Sequence, residues 1–321
     1  MTLPTNIFTQ YNAIGNREDL SDVIYDISPT ETPFASNIPR VKATAVLHEW
    51  QTDSLEAASA TNAALEGDDF TGVARTPTTR RGNRCQILTK DIVVSGTQRA
   101  VKTAGRSDEL EYQVAKAGKE LKRDIESALL SVNPATAGST ATARLLGGIE
   151  TWLATNKING TTGTTPGAGA TVLDASQVTI TTASQLKTFI DTLIASCWTA
   201  GGNPEIIMVG AAGKQYASRM SGIATLYRDV PAMQQAQIVA GADWYVSDFG
   251  QHKIVPNRFM RGTRTVLILD MNYWAIAELR TMRTIPMSKT GDNDKTMLLT
   301  ELTLEARNEA ASAKLADRAF A

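Results

Sequence analysis

A single stripe of apolar residues runs through residues 107–132 at the three- and four-residue spacing of an α-helix. Ser107 is a favourable N-cap, acidic residues fill the first turn, and Asn133-Pro134 is a stop signal. At 1.5 Å per residue the helix would span roughly 37 Å, about twice the usual length. Because only one stripe is apolar, the helix must lie on another element through Leu110, Val114, Leu121, Ile125 and Leu129.

Two extended runs precede this helix. Residues 41–53 alternate close to period two, and residues 83–95 are rich in Ile and Val. The segment between them is small and polar and offers almost nothing to pack. The pattern predicts an extended β-hairpin loop over residues 41–97. Since a long two-stranded ribbon is only marginally stable by itself, we expect this loop to become ordered on a neighbouring subunit.

The charges of this predicted loop separate into an acidic and a basic group. We take both groups together as candidate inter-subunit contacts: Glu66, Asp68, Asp69, Arg75, Arg80, Arg81 and Arg84. The alternative is two solvated patches that aid solubility, because a surface ion pair contributes only about 0–1 kcal/mol.

The rest of the chain divides into segments that differ in composition and hydrophobic pattern. Residues 1–40 are polar and broken by prolines, which is typical of an arm, and they include a short helix predicted at residues 16–25. Residues 98–182 contain the long helix and then a Thr/Gly-rich loop. Residues 183–280 alternate amphipathic helix and buried strand, as an α/β domain does. Residues 281–321 hold a long alternating strand, which we expect to return to the domain of the long helix.

The residue types that carry catalysis are sparse. The two histidines, His48 and His252, lie in strand-like runs, and Cys85 and Cys197 are far apart, as expected for reduced thiols. No CxxC, HExxH, GxSxG or complete phosphate-loop motif occurs. We therefore predict no catalytic, cofactor-binding or metal-binding residue.

The N-terminus lacks the features of a signal peptide, and no apolar run is long enough to span a membrane.

The formal net charge of −1 argues against a protein whose main task is to grip nucleic acid. It remains compatible with a container that surrounds nucleic acid.

The order of these blocks resembles a known arrangement. The resemblance is carried by residues 26–34 (DISPTETPF), 48–55 (HEWQTDSL), 83–106, 112–130 and 300–318. In order and spacing they resemble the HK97-like fold of tailed-bacteriophage major capsid proteins. Within that fold the sequence is most similar to the SU10-type major head protein family.

The resemblance implies an α+β HK97-like capsid fold. Its parts would be an N-arm (1–40), an extended β-hairpin loop (41–97), a peripheral domain (98–182) with a spine helix (107–132), an α/β axial domain (183–280) and a C-terminal return strand of the peripheral domain (281–321). Hexamers and pentamers would close into an icosahedral shell around phage double-stranded DNA, held by non-specific contact. A portal, a separate scaffold protein and a decoration protein are further expected partners. The expected location is the virion, with assembly in the host cytoplasm, and no cofactor is implied.

Two other functions remain open from the sequence. An encapsulin-like compartment would keep the fold but enclose a cargo enzyme. An enzyme with an α/β core at residues 183–280 would need an acid/base constellation, which the surroundings of the two histidines do not supply.

Overall fold

The computed structural model describes residues 31–67, 69, 72, 75–101, 105, 108–158, 178–220, 243–260, 265–316 and 318–320. The helix predicted at residues 16–25, most of the arm, the predicted N-cap Ser107 and most of the Thr/Gly-rich loop lie outside these residues.

The helices of the described residues are α1 (Pro33–Asn37), α2 (Gly96–Ala100), α3 (Glu109–Leu129), α4 (Ile149–Trp152), α5 (Ala183–Thr199) and α6 (Ala211–Ser218). The strands are β1 (Arg40–Lys42), β2 (Leu47–Thr52), β3 (Thr79–Arg84), β4 (Gln86–Ser95), β5 (Lys157–Ile158), β6 (Val178–Ile180), β7 (Ile206–Val209), β8 (Trp244–Ser247), β9 (Gly250–Pro256), β10 (Val266–Leu269), β11 (Trp274–Met287), β12 (Asn293–Ala306), β13 (Ala313–Leu315) and β14 (Arg318–Phe320).

The long helix α3 begins two residues later and ends three residues earlier than predicted. Asp108 is the N-cap, and its carboxylate accepts a hydrogen bond from the Leu110 amide at 2.8 Å. The helix closes at Leu130, whose amide donates to the Glu126 carbonyl. The apolar stripe is confirmed, with Leu121, Ile125 and Leu129 buried and Leu110 and Val114 half-buried.

The surface under α3 is a four-stranded sheet in the order β1-β11-β12-β4. Strand β1 is parallel to β11, and the other pairs are antiparallel. The side chains of α3 share one apolar core with the predicted inward face of β12, namely Leu298, Leu302, Leu304 and Ala306. Because both faces of this contact are apolar, burial fixes the helix along the sheet.

A second sheet has six strands in the order β5-β13-β10-β7-β9-β8. Every residue of its central strand β10 is buried. The amphipathic helix α5, predicted from sequence, packs here through Leu186, Ile190, Leu193 and Ile194. Helix α5 and this sheet form a layered α/β unit, which also takes strands from outside residues 183–280.

The predicted hairpin is wrong in its second arm. Strand β2 pairs with β3, and most of the run at residues 83–95 is instead β4, which pairs with β12. Each arm of the hairpin is therefore six residues long. The run at residues 83–95 divides into β3 and β4 at Cys85, which is fully buried. The Cys85 amide donates a hydrogen bond to the Val46 carbonyl.

The predicted boundary at residue 280 falls inside β11, a continuous strand of the first sheet. The segment 281–321 does not belong wholly to the domain of the long helix, because β13 pairs with β10 in the second sheet. Strand β5, placed by the sequence in the 98–182 domain, pairs with β13 as well. Ala313 and Leu315 are fully buried there, so burial in the α/β core fixes the position of β13.

Among the described residues, no helix has the length and apolarity needed to cross a membrane.

Candidate assembly surfaces

Strand β3 of the β2–β3 hairpin carries three of the predicted contact residues. Arg81 lies opposite Trp50, and Arg80 and Arg84 lie opposite Gln51 and Leu47. Since side chains alternate along a strand, Arg81 lies on the face of Trp50, and Arg80 and Arg84 lie on the other face. The structure therefore divides the arginine group between the two faces of the hairpin.

The base of the hairpin is fixed by Asn83, a fully buried residue of β3. Its side-chain amide nitrogen donates to the carbonyls of Gly147 and Leu304, at 3.1 and 2.8 Å. Its side-chain oxygen accepts from the amides of Gly147 and Arg84, at 2.8 and 2.9 Å. Both donors and both acceptor sites of the amide are thus used. Asn83 ties the hairpin to β12 and to the segment before α4.

A second contact holds the same base from β2. The His48 Nε2 lies 3.0 Å from the Glu305 Oε2, and Arg307 holds the other Glu305 oxygen at 3.0 Å. Next to it, the rings of Trp50 and Trp152 are in tilted contact with centroids 5.4 Å apart. The base of the hairpin is therefore anchored to the body of the molecule by polar and aromatic contacts.

The tip of the hairpin has no such support. Its described residues between Thr52 and Thr79 form neither helix nor strand and are exposed. Leu55 and Leu65 are 98% and 80% exposed. Both leucines are thus open to solvent in the single chain, on a segment that has no core of its own.

The predicted charges lie on or beside this tip. Glu66 and Asp69 are exposed, and Asp68 lies outside the described residues. Arg75 is 3.4 Å from Glu56, and Arg80 is 3.1 Å from Glu49, all on the surface. Such pairs are weak, so both arginines can exchange them for contacts with another chain.

Sequence reasoning missed a buried carboxylate on α3. Glu126 is fully buried, and it accepts hydrogen bonds from the Phe34 and Ala35 amides at 2.8 and 2.7 Å and from the Asn257 side chain at 2.6 Å. Burial raises the pKa of Glu126, although these three donors oppose the shift. The carboxylate caps α1 and fixes it to the long helix. No sequence pattern identifies it, because its partners are two backbone amides and one side-chain amide far away in the chain.

The described residues show no catalytic arrangement around the histidines. His252 is buried, with Nδ1 2.7 Å from the Pro204 carbonyl and Nε2 2.7 Å from the Ser247 hydroxyl, and burial lowers its pKa. Burial also raises the pKa of Cys85 to about 11 and of Cys197 to about 12, which disfavours reactive thiolates. No group of three or more His, Cys, Asp and Glu side chains suited to a metal occurs in the described part.

The comparisons with known proteins agree along nearly the whole chain. The family model described as SU10 major capsid protein matches residues 3–319. The major capsid protein of Escherichia phage Phieco32 is 28% identical over 345 residues, covering 98% of this chain and 97% of that protein.

Solved structures with similar folds include the capsid of Cyanophage P-SCSP1u, with a TM-score of 0.59, 12% identity and coverage of 99% of this chain and 97% of that one. The satellite phage P4 procapsid including size determination (Sid) protein has a TM-score of 0.54, 12% identity and coverage of 92% and 94%. At 12% identity, the two structures support a similar fold and nothing more.

Proposed function

Because the chain belongs to the SU10 major capsid protein family, we propose that its copies form hexamers and pentamers that close into an icosahedral shell around phage double-stranded DNA. The chain is a major capsid protein with the HK97-like fold, and its place is the capsid of the virion. The observation that carries the proposal is the family match over residues 3–319. The comparisons give no support to the two alternative functions, an encapsulin-like compartment and an enzyme.

The hairpin supports this proposal from the structure. Its base is held by Asn83 and His48, whereas its tip exposes Leu55 and Leu65. A segment that is fixed at one end and uncovered at the other suits a contact with a neighbouring copy. The division of the chain into N-arm, extended loop, peripheral domain and axial domain is part of the same proposal, with β11 shared across the predicted boundary.

Further partners follow from the same assignment. The shell would contact packaged DNA non-specifically, in line with the nearly neutral net charge of −1. A portal and a decoration protein would join it, and a separate scaffold protein would guide assembly in the host cytoplasm. The P4 procapsid structure, which includes a separate size determination protein, supports a scaffold of this kind.

Purified protein is the direct test. We expect size-exclusion chromatography to show a megadalton fraction, and negative-stain images of that fraction to show closed shells. A chain that remains a small oligomer across salt, pH and crowding conditions, alone and with a co-expressed scaffold, would contradict the proposal.

The acidic tip provides a finer prediction about assembly. We propose that Glu66, Asp68 and Asp69 meet a basic surface of a neighbouring copy, while Arg75, Arg80, Arg81 and Arg84 meet acidic side chains elsewhere. Arginine suits this role because its fork can grip a carboxylate with two hydrogen bonds. The double variant Asp68→Lys/Asp69→Lys should lower shell yield without lowering the melting temperature. Assembly should also weaken at salt well above 0.15 M, where the Debye length falls below about 8 Å.

Light scattering measures the yield, and circular dichroism checks the fold. The matched control is Glu111→Lys/Asp248→Lys, which makes the same change in net charge at two exposed residues outside the tip. An unchanged yield for Asp68→Lys/Asp69→Lys would leave solubility as the role of the acidic tip.

A further inference from the structure

The four-stranded sheet ends in two lateral edges that differ in charge. On one side β4 is the outermost strand, and no described strand pairs with it beyond β12. On the other side β1 pairs with β11 only as far as Lys42 and Glu278. From Leu279 onward, β11 has no partner on that side among the described residues.

The edge at β4 is acidic. An open groove runs between β4 and α3, and its charged lining residues are Asp91, Glu109, Glu120, Asp292, Lys90 and Lys116. Lys90 is already held by Asp124 at 2.8 Å. Carboxylates therefore exceed the amines that remain available in this groove.

The edge at β1 and β11 is basic. Its charged residues are Arg40, Lys42, Arg280, Arg283 and one acid, Glu278. Arg40 bonds to Glu278, and the Arg280 Nε donates to the buried Glu301 at 2.7 Å. Lys42 and Arg283 are exposed, and neither has a partner within the described part of the chain. Two cations without partners in that part of the chain are thus presented along this edge.

Protection against aggregation explains part of this pattern. The register between β11 and β12 shifts between Glu278 and Arg283, and Pro286 follows in β11. Both features oppose pairing of β11 with a further strand. Charges of either sign would serve that purpose on both edges. Protection therefore explains why charges are present, but it does not explain why the two edges carry opposite signs.

We infer that the basic edge at β1 and β11 of one copy contacts the acidic β4–α3 groove of the next copy. The inference rests on the proposed shell function and names the surfaces through which neighbours meet. The two surfaces are different, so the contact is head-to-tail, and contacts of this kind close into rings when the rotation permits. Arg283 can hold a groove carboxylate with two hydrogen bonds, and Lys42 adds a point charge. Because the bulge and Pro286 prevent strand addition, the contact is between side chains.

Reversing charges on each edge separately, and then on both, tests the pairing. The variants are Lys42→Glu/Arg283→Glu, Asp91→Lys/Glu120→Lys, and the combination of all four changes. Each double variant should raise the critical concentration for assembly about tenfold or more, because like charges then face each other. The fourfold variant should return close to the wild-type value. Critical concentrations come from light scattering, and melting temperatures check folding.

The matched control here is Lys122→Glu/Lys253→Glu, which makes the same change in net charge as Lys42→Glu/Arg283→Glu but away from the edges. Wild-type assembly by both double variants overturns the edge contact and leaves the shell function standing. Loss of assembly without recovery in the fourfold variant also overturns it, because the two edges would then not be complementary. If the wild-type chain never assembles, the shell function fails and the edge contact fails with it.

Discussion

Leu121→Asp is expected to leave almost no soluble, folded chain. Leu121 is fully buried in the middle of α3, in the core that α3 shares with Leu302 and Leu304 of β12. The substitution places a carboxylate in this contact without a partner. Burying an unpaired charge costs several kcal/mol, which is comparable with the roughly 5–15 kcal/mol that stabilises a typical domain. The soluble fraction after expression and the circular dichroism melt of any soluble protein measure the effect.

Two variants separate the effect of the buried charge from the effect of losing the leucine side chain and from the effect of adding a carboxylate to α3. Leu121→Ala removes the same side chain without adding charge and should cost roughly 2–5 kcal/mol, so a destabilised but folded protein is expected. Lys122→Asp introduces the same carboxylate at the next residue, which is exposed, and should change stability by about 0.5 kcal/mol or less. Soluble Leu121→Asp protein that assembles normally would show that α3 does not depend on this contact.

Deleting residues 57–71 is expected to abolish shell formation while leaving the subunit folded. The deletion removes most of the exposed tip, and residues 53–56 and 72–78 remain to close the hairpin. The base keeps its contacts through Asn83 and His48. Size-exclusion chromatography should shift from the megadalton fraction to free subunits, with the melting temperature nearly unchanged.

Hydrogen exchange on the intact chain gives a second measure of the tip. Amides of residues 53–78 should exchange fast in free subunits and slowly in shells, because another copy then covers them. A matched control replaces residues 57–71 with a Gly/Ser segment of equal length, which keeps the spacing but removes the side chains. Equal protection in subunits and shells, or normal assembly by the deletion variant, would contradict the role of the tip.

Periodicity was enough to predict the elements that bury one face. The stripe of α3, the helix α5 and the inward face of β12 are all confirmed, because each buries a continuous apolar pattern. The order of the blocks predicted the fold. Strand pairing was harder to predict, since the run at residues 83–95 has the same pattern whether it pairs with β2 or with β12.

The side chains that connect distant segments could not be predicted. Glu126 and Asn83 both bind backbone groups, which every residue has, so no residue type elsewhere in the sequence marks their partners. The inter-subunit contacts stay a prediction. The single chain shows where Glu66, Asp69 and the arginines lie, but what they contact depends on copies beyond it.

The position of β13 has a consequence for synthesis of the chain. Strand β13 lies between β5 and β10, although more than 150 residues separate it from β5 in sequence. The six-stranded sheet therefore cannot form completely until β13 has been synthesised. A chain that stops before β13 would lack the strand that joins β5 to β10, and would expose Val266 and Ile268 at an open edge. Synthesis of β13 and completion of this sheet are thus coupled, so a copy that lacks β13 is expected to fold incompletely and to be unfit for a repeating lattice.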